Sequence, residues 1–472
     1  MRMRFFFVSL ISIFLAGCGA SRVGPDYKRP PVDPPAVFRG DTETPTPASL
    51  RSLADYQWWE VFKDEQLQHL VRTALEQNYD VRIAARHVLQ ARAQLGITRA
   101  DEFPTLTAGT LASNQRIPGS GPIPAFETSP TELNLAVSWE ADFWSKFRRG
   151  TEAAQASLLE SEWARQAVIT TVIADVATAY FQLRELDLEM EIAQRTLKSR
   201  EASLELVKLQ EQYGAASSLE VRQAEQLVYI AAAQIPELER RIEQQENAIS
   251  ILLAENPAAI RRGLKLTEQP HLPEIPPGLP SSLLERRPDI RQAEQRLIAA
   301  NARIGVAKAA YFPQLTLTGA SGFRTTALSS LFSGPAGLWS LVGAVAQPIF
   351  TGGRLSSGVK LTEEQQQEAL LAYQKSVQQS FREVSDALVA RKKNREFRFQ
   401  QERLVRSARE TARLADLRYR RGVTSYLEVL DSNTRAFEAE LGLAQARLNE
   451  LLALVQLYKA LGGGWEPTTS SP

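Results

Sequence analysis

The chain has 472 residues, with 55 Lys and Arg against 54 Asp and Glu, a single Cys and 3 His. A net charge of +1 and a pI near 7.8 give no polycationic signature for nucleic acid, so none is expected as a partner. One Cys excludes an internal disulfide, and His69, His87 and His271 stand too far apart in sequence to suggest a metal cluster. Mean hydropathy is −0.24, and beyond residue 17 no apolar run reaches about 18 residues, so membrane-spanning helices are not expected.

In chain order, Arg2 and Arg4 precede the apolar run Phe5 to Phe14, and Leu15-Ala16-Gly17-Cys18 follows. A charged start, a short apolar middle and small residues at the cut are the layout of a secretory signal. The four residues resemble a bacterial lipoprotein box, which implies cleavage before Cys18 and acylation of its sulfur and new amino terminus. Two or more acyl chains make such an anchor stable, at about 0.8 kcal/mol per buried CH₂. Enteric lipoproteins held at the inner membrane carry Asp at the next position; Gly19 favours the outer membrane by the same resemblance. Residues 1–17 are thus expected to be a signal peptide and 18–50 a lipidated, Pro-rich tether.

The remainder is doubled. Asp80 to Pro104 aligns with Asp289 to Pro313 without a gap, matching Gly96 to Gly305 and repeating the Phe-Pro pair. Further on, Gly214-AASS-Leu219-Glu220-Val221 matches Gly422-VTSY-Leu427-Glu428-Val429. Two halves that keep register over this distance are a duplication. The first repeat is expected over 51–255: a helix, a β-hairpin at 103–144 and a long helical hairpin at 146–255. A linker (256–285) leads to the second repeat over 286–461, with its β-hairpin at 312–350 and helical hairpin at 354–461; residues 462–472 form a tail.

Each helical hairpin carries heptads. Ile169, Val172, Val176, Ala179, Leu183, Leu186, Met190, Ala193 and Leu197 step by three and four, interrupted at Arg200 before Leu204 and Val207. Val221 to Leu252 behaves likewise with Gln245 as the exception, and Leu427, Leu430, Thr434, Phe437 and Leu441 begin the same rhythm in the second half. A 3.5-residue period predicts supercoiled helices with a narrow apolar seam. A Pro-free stretch from about Lys146 to Glu211 would extend roughly 100 Å as a helix. The glycines at 214 and 422 suit turns that need a permissive backbone. Leu133, Leu135, Val137, Trp139, Ala141 and Phe143, by contrast, alternate with polar or small residues, the period of a transmembrane strand with a polar lumen face. A weaker alternation runs from Leu315 to Arg324, and Thr105–Ser113 and Trp339–Ile349 complete two hairpins. Four strands cannot close a barrel, and lipid does not tolerate an open edge, so several copies must share one wall.

The chain resembles the TolC/OprM family of outer-membrane efflux proteins, in its lipoprotein branch. The matching residues are Leu15 to Cys18, Gly24-Pro25-Asp26-Tyr27, Trp58-Trp59, Glu285 to Ile290 and Tyr311-Phe312-Pro313. They continue with Gln347 to Phe350, Gly352-Gly353-Arg354, Arg418 to Gly422 and Tyr458 to Trp465. The resemblance implies a mainly α fold with a small membrane β-barrel, in which a homotrimer pools 12 strands above a long α-helical periplasmic tunnel. It implies an efflux channel fed by a periplasmic adaptor and an inner-membrane pump of the resistance-nodulation-division type, with no catalysis and no cofactor beyond the lipid on Cys18. Tyr419, Leu427 and Asp431 match positions that close the tunnel's periplasmic end; an Arg expected three residues beyond that Asp is replaced by Thr434, with Arg435 next. Gly214, Ala215, Ala216, Gly422, Val423 and Thr424 match turns where adaptor hairpins dock.

The competing reading is a pore-free coiled-coil lipoprotein with a structural or adaptor role, which would need neither the doubled hairpin nor the alternating strands. Ser357 and Lys360 fit a serine-acylase spacing without its companion motifs, and Gly352-Gly353-Arg354 lacks the Lys of a phosphate loop. Trp58, Trp59, Trp139 and Trp144 read as packing or an interfacial girdle.

Overall fold

A computed structural model describes residues 22–35, 38–39, 53–122, 124–270, 280–326 and 328–463. The signal peptide, Cys18, most of the tether beyond residue 35, part of the 256–285 linker and residues 464–472 lie outside the described residues.

Duplication appears as repeated element lengths. The chain forms α1 (Glu65–Gln77), α2 (Tyr79–Ala100), β1 (Thr105–Ala112), β2 (Thr131–Ala141), α3 (Lys146–Gln212) and α4 (Ser218–Leu252). It then forms α5 (Pro288–Ala309), β3 (Gln314–Thr325), β4 (Gly337–Ala346), α6 (Arg354–Arg420) and α7 (Tyr426–Ala460). Helices α2 and α5 have 22 residues each, α3 and α6 have 67, and α4 and α7 have 35. No helix among the described residues is long and apolar enough to cross a membrane.

Helix starts follow local chemistry. Asp64 Oδ1 accepts from the amides of Gln66 and Leu67, opening α1. Asn78 Oδ1 accepts from Asp80 N at 2.8 Å, opening α2. Asp142 receives Phe147 N and Arg148 N, satisfying free donors at the start of α3. Pro288 sits at the first position of α5, where its missing N–H costs nothing.

The four strands make one antiparallel sheet in the order β1-β2-β3-β4. Sequence suggested two hairpins; β2 and β3 also pair over Thr131–Ala141, which joins them across the repeats. Cross-strand register carries the alternation over most of the sheet. Leu106, Val137, Gly319 and Leu341 share a row, as do Trp139 and Leu317, and Leu133 and Phe323. The opposite face shows rows such as Thr107, Ala136, Ala320 and Ser340, and Thr105, Ser138 and Thr318, the last closed on β4 by Val342. The connection between β1 and β2, where residues 117–130 are expected as loop, contains a short ribbon in which Gln115–Ile117 pairs with Phe126–Thr128. Strand β4 stops at Ala346, so Ile349 lies beyond it, not inside it as expected.

Contacts group the chain into two compact units, each drawing on both repeats. One comprises residues 22–31, 87–161 and 292–374 of the described chain and contains the sheet; the other comprises 32–86, 162–291 and 375–463. In the first, Trp139 Nε1 donates to Glu102 O and Trp144 Nε1 to Pro313 O. Trp144 also stacks on Phe312 at 4.6 Å and so acts in packing, whereas Trp139 is held by its hydrogen bond.

The second unit buries Leu67 and Val71 of α1, Val176, Tyr180 and Leu183 of α3, and Val455 and Tyr458 of α7. Asp64 is a polar hub there: its other oxygen accepts from Tyr180 OH, Leu264 N and Gln269 Nε2, each at 2.9 Å. Both heptad interruptions have partners. Gln245 donates to Ala179 O and Gln182 across the α3–α4 pair. Buried Arg200 donates to Leu227 O at 2.8 Å and lies 5.1 Å over the Phe437 ring.

Candidate functional site

Both helical hairpins turn by the same chemistry. Gly214 has φ +71° and Gly422 has φ +69°, the left-handed region that glycine enters without a Cβ penalty. Gly214 N donates to Glu211 O and Ala215 N to Gln210 O; Gly422 N donates to Tyr419 O and Val423 N to Arg418 O. This pair of bonds is the Schellman termination, and it satisfies carbonyls that a helix end leaves free. A Cβ at either glycine would meet nothing within 4 Å, so the turns project into open space.

After the turn the two tips diverge. Ser217 and Glu220 form a reciprocal capping box at the start of α4, with Ser217 N donating to Glu220 at 2.6 Å. The matching Glu428 does not return to Ser425; it takes Arg418 Nη1 at 2.9 Å and the Thr424 hydroxyl. Thr424, singled out as a docking residue, therefore belongs to a polar link across the second hairpin.

Beneath the tips, Leu204, Val207, Val221, Ala224, Val228, Ala415, Tyr426 and Val429 form one apolar cluster, with Tyr419 packed against it. Tyr419 meets Tyr426 edge-on at 5.1 Å and donates to Gln210 Oε1 at 3.3 Å. Burial, helped by the nearby Glu220 charge, raises the Tyr419 phenol; burial and Tyr419 push Tyr426 up to about 12. Both rings stay neutral at physiological pH.

The heptad register expected at the start of α7 is displaced. Tyr426, Val429 and Ser432 are buried, where the sequence reading placed Leu427, Leu430 and Thr434. Tyr426 fills the gap between the hairpins, and that rotates Leu427 outward to 58% exposure; the two readings coincide again at Phe437. Leu219, the duplicate of Leu427, is 66% exposed. Sequence reasoning matched these leucines but named only Leu427, although the repeated Gly-to-Leu spacing pointed to both. Asp431 lies one turn beyond Leu427 and bonds Arg435 Nε at 2.9 and 3.0 Å, with both side chains exposed. Thr434 instead returns its hydroxyl to Leu430 O. The cation next to Asp431 is thus its own helix neighbour at i+4.

Tyr419, Gly422, Val423, Thr424, Leu427 and Asp431 gather at one hairpin end, with Gly214 and Ala215 at the other; Cys18 lies outside the described residues. Ser357 lies in the first turn of α6, its amide closing on Gly353 O, and Lys360 stands one turn on.

The family model described as outer membrane efflux protein matches twice, over residues 70–255 and 279–463. The chain is 37% identical over 467 residues to the probable efflux pump outer membrane protein TtgC of Pseudomonas putida, covering 98% of this chain and 96% of that one. It is 34% identical over 461 residues to the probable outer membrane lipoprotein SilC of Salmonella typhimurium, covering 97% and 98%. Among solved structures, the open state of the Neisseria gonorrhoeae MtrE outer membrane channel superposes with a TM-score of 0.85 at 34% identity, covering 94% of this chain and 98% of that one.

Proposed function

The chain belongs to the outer membrane efflux protein family, and from that premise we propose that it forms the exit duct of a tripartite pump, closed at its hairpin tips. It is an outer-membrane efflux channel whose strands line a barrel and whose long helices build a periplasmic tunnel. The observation that carries this reading is the sheet. One face is mainly apolar, with Thr110, Thr131, Ser321 and Thr325 as exceptions; the other is mainly polar or small, with Leu111, Leu338 and Val342 as exceptions. Among the described residues β1 pairs only with β2 and β4 only with β3. Lipid requires those edges to be satisfied, so copies must donate them to one another. Three copies supply 12 strands, enough for a closed wall with a polar lumen.

The finer roles follow from the tips. Leu219 and Leu427, repeated around a ring of three, would form a dewetted constriction, and Asp431 would set a cation-attracting charge tempered by Arg435. Gly214, Ala215, Gly422 and Val423 present backbone and small side chains to a periplasmic adaptor, which would connect the channel to a resistance-nodulation-division pump. Acylation at Cys18 would add a lipid anchor. Cargo choice belongs to the pump, because a duct lined by hydroxyls, amides and scattered charge discriminates weakly.

Planar-bilayer recording of purified trimers tests the reading. Arg435→Ala should raise cation over anion permeability several-fold, and Asp431→Asn should lower it. Equal selectivity in both variants would remove Asp431 from the constriction, and absence of any conductance would favour the pore-free lipoprotein.

A further inference from the structure

The motif Gly24-Pro25-Asp26-Tyr27 has no part in a gate or a docking tip, yet its surroundings are built in detail. Arg149, in the first turn of α3, is 1% exposed. Its Nε donates to Val23 O at 3.2 Å and its Nη2 to Gly24 O at 3.3 Å and Asp26 Oδ1 at 2.9 Å; Nη1 takes Glu152 at 2.9 Å. Asn301 Nδ2 donates to Pro25 O at 2.9 Å. Tyr27 OH donates to Glu294 Oε1, and Arg29 Nε pairs with the same carboxylate at 3.0 Å. Backbone meets backbone at the centre: Gly24 has φ +97°, and a Cβ on it would stand 2.5 Å from the Gly305 Cα. A Cβ on Gly305 would stand 2.8 Å from Val23 O and 2.9 Å from the Arg149 stem.

A buried guanidinium that spends its donors on two carbonyls and a carboxylate of one short segment is a peptide-recognition site. Duplication sharpens the point. Gly96 occupies the place of Gly305 in the first repeat, yet a Cβ there would meet nothing within 4 Å, and Ser357 stands where Arg149 would recur. Two repeats offer the glycine twice, and only one was furnished with the arginine. A chain has one amino-terminal segment and needs one seat.

The seat's place gives it a purpose. Arg149 follows directly on the helix start that continues β2, and Gly305 lies near the end of α5, just before β3. The segment is therefore held where the two central strands leave the sheet. From Arg22 back to Cys18 the chain can reach about 14 Å at most. We propose that Arg149, Asn301 and Gly305 form a receptor for the chain's own amino-terminal segment, which holds the acylated end level with the helix-joined edge of the sheet. This rests on the reading that Cys18 is acylated. Without the seat, a Pro-rich tether would let the lipid and the sheet sample different heights; with it, anchoring the lipid concentrates the sheet at the leaflet it must enter.

The experiment uses the full chain with its signal in a Gram-negative host, comparing wild type with Gly24→Ala and Arg149→Ala. Gly24→Ala changes the tether and no residue of α3 or α5; its Cβ, 2.5 Å from the Gly305 Cα, unseats the segment. Trypsin cleavage after Lys28 should speed up about tenfold or more in both, the shift expected when a charged group loses its hydrogen bonds. Both variants should form membrane trimers several-fold more slowly, and combining Gly24→Ala with Cys18→Ser should slow them no further than Cys18→Ser alone. Unchanged cleavage overturns the receptor. An equal loss from Gly24→Ala with and without Cys18 overturns its positioning role. Mass measurement of the mature amino terminus separates a failed acylation reading, in which Lys28 remains protected but no acyl mass is found.

Discussion

Glu185 lies on α3, 2% exposed, beside Glu189, which pairs with Arg241 at 3.0 Å. Burial pushes its carboxyl up to about 8; the hydrogen bond to Glu189 and that neighbour's charge add to the rise, and Arg241 opposes it. The folded chain thus keeps a proton that the unfolded chain releases near pH 4.5. Stability falls as pH rises through the interval between those values and levels off above the upper one. Glu185→Gln keeps the shape and the hydrogen-bond donor and removes the titration. Its melting temperature should exceed wild type by a few degrees at pH 8.5 and equal it at pH 5, as read by thermal unfolding; an identical difference at both pH values would refute the account. Other single residues were only partly legible in sequence. Arg200 showed as a flaw in a heptad, but its perch over Phe437 depends on a helix more than two hundred residues away. The substitution of Thr434 for Arg was visible, and so was Arg435; only helix geometry says that Arg435 reaches Asp431.

At the scale of elements, periodicity and glycine placement marked the helices and turns well, because both are local. Lys146 and Arg354 were named as helix starts from sequence and are the first residues of α3 and α6. The register of α7 was less legible: its first turn is set by Tyr426 packing on Tyr419, a contact between helices that no single-helix pattern encodes. The tips carry a sharp expectation. Gly422→Val puts a branched side chain in a left-handed backbone with open space around it, so the cost is local strain of about 1–2 kcal/mol and not a clash. The trimer should survive on unheated gels while drug export in cells falls at least tenfold; wild-type export would remove the turn from the docking surface.

For the whole molecule, the four strands of the main sheet and their largely two-faced character were legible, whereas their joining into one sheet across β2 and β3 was not, since strand pairing between repeats leaves no trace in either repeat alone. The two faces make a paired prediction. Leu341→Lys puts a charge on the apolar face, a cost of about 2–4 kcal/mol in mid-bilayer, and should sharply reduce membrane-inserted trimer. Ser340→Lys, one residue earlier on the polar face, should leave trimer yield near wild type and shift bilayer permeability toward anions. Similar yields for the two would mean that neither face meets lipid. The free borders of β1 and β4 have a genetic corollary. A lesion confined to one border cannot be hidden by healthy siblings, because every ring that admits a faulty member inherits a gap. In a cell making both versions, most rings would contain at least one, so such an allele would behave as dominant even at half the supply.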